Sequence, residues 1–119
     1  MATRQDLIKG NIDTLLLSLM SQQPMYGYQI MQELDGRSQG YFKFKEGTLY
    51  PALHRLEKAG LLQGNWQTIG SGRQRRYYSI TEKGRRILVE QTEQWQDFFA
   101  ALLARKALKG MFLFSEQKR

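Results

Sequence analysis

The chain has 119 residues, room for a single core with one helical extension and none for a separate catalytic domain. Eighteen lysines and arginines against eleven aspartates and glutamates leave a net charge of +7, which favours a polyanionic partner over a cationic one. With no cysteine and one histidine, His54, disulfides, thiolate–zinc sites and multi-histidine metal sites are excluded, and no metal or cofactor is expected.

In chain order, Ile8, Ile12, Leu15, Leu16 and Leu19 recur at the spacing of one helical face, predicting a helix from about residue 8 to 21. Pro24 interrupts it, and a second short helix follows with Tyr26, Gly27, Ile30 and Leu34 on its inner side. Gly36 and Gly40 bracket the next loop. A third helix is predicted from Thr48 to Ala59, with Leu49, Ala52, Leu53 and Leu56 as its buried stripe and His54, Arg55 and Lys58 largely outside it. Thr48 as N-cap would put Pro51 at the third helical position, where no intrahelical bond is lost, and Gly60 is the expected stop.

Residues 61–69 and 75–80 are rich in aromatic and aliphatic side chains and flank Gly70-Ser71-Gly72, a turn-forming run, so they read as a β-hairpin with a basic tip. Tyr78 and Ile80 alternate onto its inner face, and Arg76 is a candidate for supporting the hairpin. Thr81 can cap a last helix that opens with Glu82 and runs to about Leu108. Along it Leu88, Trp95 and Leu102 repeat every seven residues, with Phe98 and Phe99 beside them, a seam that calls for a partner helix. Covering the small core is the alternative, yet about 27 helical residues span roughly 40 Å, more than three short helices require.

The predicted architecture is therefore mostly α with a small β-hairpin: a winged helix-turn-helix over residues 1–81 and a C-terminal dimerisation helix and tail over 82–119. Charge reinforces it. Between Arg37 and Arg76 stand eight basic residues and two acidic ones, so this stretch carries +6 of the net +7. An α-helix fits the major groove of DNA, and a glycine-rich hairpin tip can bring arginines close to the phosphates.

Three segments extend the argument to a family. Gly47-Thr48-Leu49-Tyr50-Pro51-Ala52-Leu53-His54-Arg55-Leu56-Glu57-Lys58-Ala59-Gly60-Leu61-Leu62 resembles the signature helix of the PadR family of regulators. Pro24-Met25-Tyr26-Gly27-Tyr28-Gln29-Ile30 and Arg76-Tyr77-Tyr78-Ser79-Ile80-Thr81-Glu82-Lys83-Gly84 are similar to the family's second helix and second wing strand. The resemblance covers about residues 8–86, and the compact region after it is similar to the family's shorter branch. It implies a DNA-binding transcription regulator, mostly a repressor released by a small molecule or another signal, whose C-terminal helix forms a homodimer.

On this basis the expected DNA contacts are Thr48 and Tyr50 at the start of the third helix, His54 and Arg55 a turn further on, Lys43 and Lys45 before it, and Arg73 and Arg75 on the wing. Arg55 has a second reading, as the partner of Glu57 or another nearby acid. A homodimer would favour a near-palindromic operator in double-stranded DNA. Leu88, Trp95, Phe98, Phe99 and Leu102 are the expected dimer interface. Trp95 and Phe99 could instead stack on a small aromatic effector between subunits.

No apolar run approaches the roughly 18–20 residues of a membrane-spanning helix, and the first six residues lack the apolar core of a secretory signal, so a cytoplasmic protein is expected. The Gly70-Ser71-Gly72-Arg73 loop lacks the further glycines and Gly-Lys-Ser/Thr ending of nucleotide-binding loops, and no Gly-x-Ser-x-Gly elbow occurs, which argues against an enzyme. The competing function is a winged-helix protein-interaction module that does not touch DNA.

Overall fold

In the computed structural model the backbone is described over residues 4–118 and the side chains over residues 11–98, 100 and 101. Four helices, α1 (Arg4–Met20), α2 (Gly27–Arg37), α3 (Glu46–Lys58) and α4 (Glu82–Lys118), are joined by strands β1 (Met25–Tyr26), β2 (Leu62–Ile69) and β3 (Arg73–Ile80). The chain divides into two compact units, Met1–Leu88 and Val89–Arg119, with the boundary inside α4.

The three short helices and the hairpin stand as expected, and one strand is added. β3 lies between β1 and β2 in an antiparallel sheet, with Met25 opposite Tyr78 and Tyr26 opposite Tyr77. Tyr26, the residue preceding α2, is extended, at φ −93° and ψ 164°. Two extended residues show no period. Their pairing becomes visible only when β3 is beside them.

Periodicity located the core but not every member of it. Ile12, Leu16 and Leu19 are buried on α1 together with Leu17 and Met20, while Leu15 is only partly covered. Ile30 and Leu34 of α2, the expected α3 stripe, and Met25, Leu62 and Tyr78 from the sheet complete the main cluster, with Phe44 joining from the loop before α3. Burying a side chain of this size contributes about 1.5–3 kcal/mol. Burial also pushes the Tyr78 phenol above its usual pKa, against the lowering influence of neighbouring Arg76.

Several boundaries move. Gly36 lies within α2, and the loop after it turns through left-handed Gln39 and Gly40. α3 begins at Glu46 with Lys45 as its N-cap, so Thr48 is a first-turn residue and not the cap. Pro51 is consequently the sixth helical residue, and the carbonyl of Gly47, four residues earlier, receives no bond from it.

The end of α3 follows local chemistry closely. Gly60 takes φ +78°, its N–H bonds to the Glu57 carbonyl at 3.0 Å, and that of Leu61 bonds to the Leu56 carbonyl at 2.9 Å. This is a Schellman stop, with Leu61 packed back on the core. Thr81 caps α4 as expected: its Oγ1 accepts the Gly84 N–H at 3.0 Å and donates to the Gly60 carbonyl at 2.6 Å. α4 itself runs past the expected end near Leu108 to Lys118, because Gly110 weakens a helix without a proline or a cap to stop it.

Candidate nucleic-acid interface

The helical repeat sorts α3 into four sides. Leu49, Ala52, Leu53 and Leu56 are buried, and Gly47, Pro51, His54 and Lys58, all exposed, form the opposite ridge. On one flank, Tyr50 packs against α2 where Gly27 has no side chain; a Cβ there would lie 2.6 Å from the Tyr50 Cζ. Further along that side, the Glu57 carboxylate accepts the Gly64 N–H of β2 at 3.2 Å and pairs with the Arg76 guanidinium of β3. On the other flank, Arg55 pairs with Asp13 of α1.

Arg55 therefore has an acidic partner, but on another helix. Glu57, the acid nearest in sequence, is engaged by Arg76 instead. The Arg76 guanidinium also lies over Trp66 at 5.4 Å and near Tyr78 at 5.8 Å, and it fills the space that a Cβ at Gly64 would need. These contacts fasten the hairpin to α3, the supporting role expected of Arg76.

The wing is a regular hairpin from Leu62 opposite Ile80 to Ile69 opposite Arg73. Gly70 (φ +54°) and Gly72 (φ +102°) take left-handed backbone that side chains disfavour, which is why the tip is glycine-rich. Arg73 is exposed beside that tip. Arg75 is more constrained, its guanidinium lying 4.2 Å from the centre of the Tyr26 ring, which itself meets Tyr77 edge-on at 5.4 Å.

Lys43 is exposed before α3, and Lys45 is both exposed and its N-cap. Neither α2 nor α3 has a side-chain cap at its N-terminus, in contrast to α4, and in α3 the first-turn Thr48 N–H bonds to the Lys45 carbonyl at 3.0 Å. Glu46 in the first turn of α3 adds a negative charge there. Sequence reasoning missed two participants, Asp13 and Glu57 in its wing contact, and gave no place to Tyr28, which is 57% exposed on α2. The Pro-Met-Tyr-Gly-Tyr run was a signal for Tyr28, whereas Asp13 and Glu57 acquire their partners only across the fold.

Among the expected interface residues, Leu88 is partly buried against the core cluster, Trp95 is half-buried and Phe98 is 64% exposed. The side chains of Phe99 and Leu102 lie outside the described residues. Among the described residues no group of histidine and acidic side chains could hold a metal ion, and no helix is long and apolar enough to cross a membrane.

Three short helices, a basic hairpin fastened to the third, and a long closing helix make up the winged helix-turn-helix class of DNA-binding regulators. The profile of the Transcriptional regulator PadR-like family matches residues 16–90. Among solved structures, a transcriptional regulator from Clostridium thermocellum is 32% identical, with a TM-score of 0.74 over 82% of this chain and 94% of that one. A PadR family transcriptional regulator from Eggerthella lenta is 34% identical, with a TM-score of 0.73 over 82% and 83%. The Transcriptional regulator Rv3488 of Mycobacterium tuberculosis is 40% identical over 86 residues, 72% of each chain. The chain belongs to the PadR-like family and is a transcriptional regulator, not an enzyme.

Proposed function

We propose that the protein is a cytoplasmic repressor that binds a near-palindromic site in double-stranded DNA as a homodimer, residues 1–81 contacting DNA and residues 82–119 joining the subunits. The observation that carries this is where the charge falls: +6 of the net +7 lies in the stretch that builds α3 and the wing. The ridge of His54 and Lys58, the first turn with Thr48, Lys43 and Lys45 before it, and Arg73 at the tip are the proposed contacts. Tyr50 and Arg75, each packed on a neighbour, offer their polar ends from fixed positions.

Arg73→Ala is expected to weaken binding to every duplex and to flatten the log–log salt dependence by about two units, since each lost phosphate contact removes about 0.9 and a dimer loses one in each subunit. Titration of operator and random DNA at several salt concentrations checks it. Unchanged affinity and slope would remove the wing from the interface, and absence of DNA binding by the wild type would favour the protein-interaction reading.

The proposed dimer is supported by Val89 and Phe98, 56% and 64% exposed, on a helix whose heptad positions include Leu88, Trp95 and Leu102. Sedimentation at micromolar concentration is expected to give twice the 13.9 kDa chain mass, and Leu102→Asp to lower it. A wild-type monomer under those conditions would rule the dimer out. Release from DNA by a flat apolar or phenolic effector stacking on Trp95 and Phe99 is the proposed signal. Such a ligand acts only through its differential affinity for the two subunit arrangements, typically about 1–3 kcal/mol.

A further inference from the structure

Three ion pairs connect described side chains, and each does something different. Arg37 and Glu33 lie one turn apart on α2. Arg76 and Glu57 are about a quarter exposed and tie the hairpin to α3. Arg55 and Asp13 join α3 to α1 and are more open, at 56% and 38% exposure. A pair so accessible to water and salt adds little to stability.

The geometry of that last pair bears on recognition. Arg55 lies on the flank of α3 next to the exposed ridge of Pro51, His54 and Lys58. One terminal nitrogen, Nη2, donates to the Asp13 carboxylate. The guanidinium is a rigid planar fork of five N–H donors, so a bond at one corner orients the rest and leaves donors for an acceptor outside the chain.

An unrestrained arginine beside DNA takes the nearest phosphate, and phosphates carry no sequence information. A carboxylate on the protein changes that outcome in two ways. It substitutes for the phosphate at one edge of the fork, and its charge repels phosphates from the same spot. Base reading requires the fork to meet a fixed edge, as when arginine bonds O6 and N7 of guanine together.

We propose that Asp13 is a positioning and specificity-determining residue: it restrains Arg55 from swinging onto the DNA backbone and presents it in one orientation to a base edge. This rests on the DNA-binding role of α3 proposed above. Asp13 need not touch DNA. Its effect on sequence preference passes through Arg55, whereas the repulsion its carboxylate exerts on phosphates is the same for every sequence.

The test compares Asp13→Ala, Asp13→Glu and Arg55→Ala, singly and with Asp13→Ala and Arg55→Ala combined, on a genomic duplex selected by the wild type and a random duplex of equal length. Asp13→Ala is expected to bind random DNA about threefold more tightly, with a salt slope steeper by about two units as Arg55 of each subunit gains a phosphate. Its preference for the selected duplex is expected to fall about fivefold or more, the lower end of what a bidentate base contact supplies. Asp13→Glu restores most of the preference, and in the Arg55→Ala background Asp13→Ala shifts neither preference nor slope. Unchanged preference and slope in Asp13→Ala, or equal shifts with and without Arg55, would overturn the assignment. Lys58→Ala and Arg73→Ala measured alongside separate the two failures. If they weaken binding while Asp13→Ala is silent, only the Asp13 role is lost; if they too are silent, the DNA-binding role of this surface fails and the Asp13 role falls with it.

Discussion

Raising salt from 50 to 200 mM is expected to weaken DNA binding by about 10³- to 10⁵-fold, the range for about six to ten phosphate contacts. The structure narrows the source of that effect. Of the basic residues between Arg37 and Arg76, Arg37, Arg55 and Arg76 have acidic partners, and Arg75 stacks on Tyr26. Lys43, Lys45, Lys58 and Arg73 are exposed and have no acidic partner among the described residues. Four such cations per subunit, doubled by a dimer, give roughly eight contacts and a log–log slope near −7. Fluorescence anisotropy with a labelled duplex at four or five salt concentrations measures it. A slope shallower than about −2 would leave too few phosphate contacts for this surface to be the DNA interface.

Gly84→Ala is expected to destabilise the fold by about 3 kcal/mol and lower the melting temperature by about 10–20 °C. Gly84 is buried in the first turn of α4, where a Cβ would fall on the Leu61 backbone carbonyl and lie 2.8 Å from Ile80 Cγ1. The obstacle is backbone, so no rotamer change relieves it. That carbonyl also accepts the Thr81 N–H at 3.1 Å, and moving it would disturb the capped start of α4. Gly36→Ala provides the contrast: the position is helical and exposed, a Cβ meets nothing within 4 Å, and stability should rise by about 0.5–1 kcal/mol. Denaturant unfolding at one fixed protein concentration compares them. A Gly84→Ala protein within about 0.5 kcal/mol of wild type would show that α4 is not seated tightly on Leu61.

Features governed by neighbours in sequence were legible from it. The apolar repeat of α3, its stop at Gly60, the glycine turn of the wing and the Thr81 cap each depend on a few adjacent residues, and each stands in the fold as expected. The resemblance to PadR regulators rested on the same segments, and the family profile spans residues 16–90. Thr48 as N-cap failed because a serine or threonine within a helix's first turn carries the same local signal as one at its start.

Partner choice was decided only in three dimensions. β1 exists because β3 supplies hydrogen bonds to Met25 and Tyr26, and two residues have no period of their own to announce them. The eight basic residues look alike as a list. Beyond Arg37, paired with Glu33 one turn away, folding divides them, giving Arg55 to Asp13, Arg76 to Glu57 and Arg75 to the Tyr26 ring, and leaving Lys43, Lys45, Lys58 and Arg73 exposed. Sequence by itself determined the class of protein and the stretch that carries its charge, because periodicity, caps and turns are short-range. Only the tertiary structure determined which charges are already engaged, because an ion pair or a cation–π contact depends on distances between residues that the chain order leaves far apart.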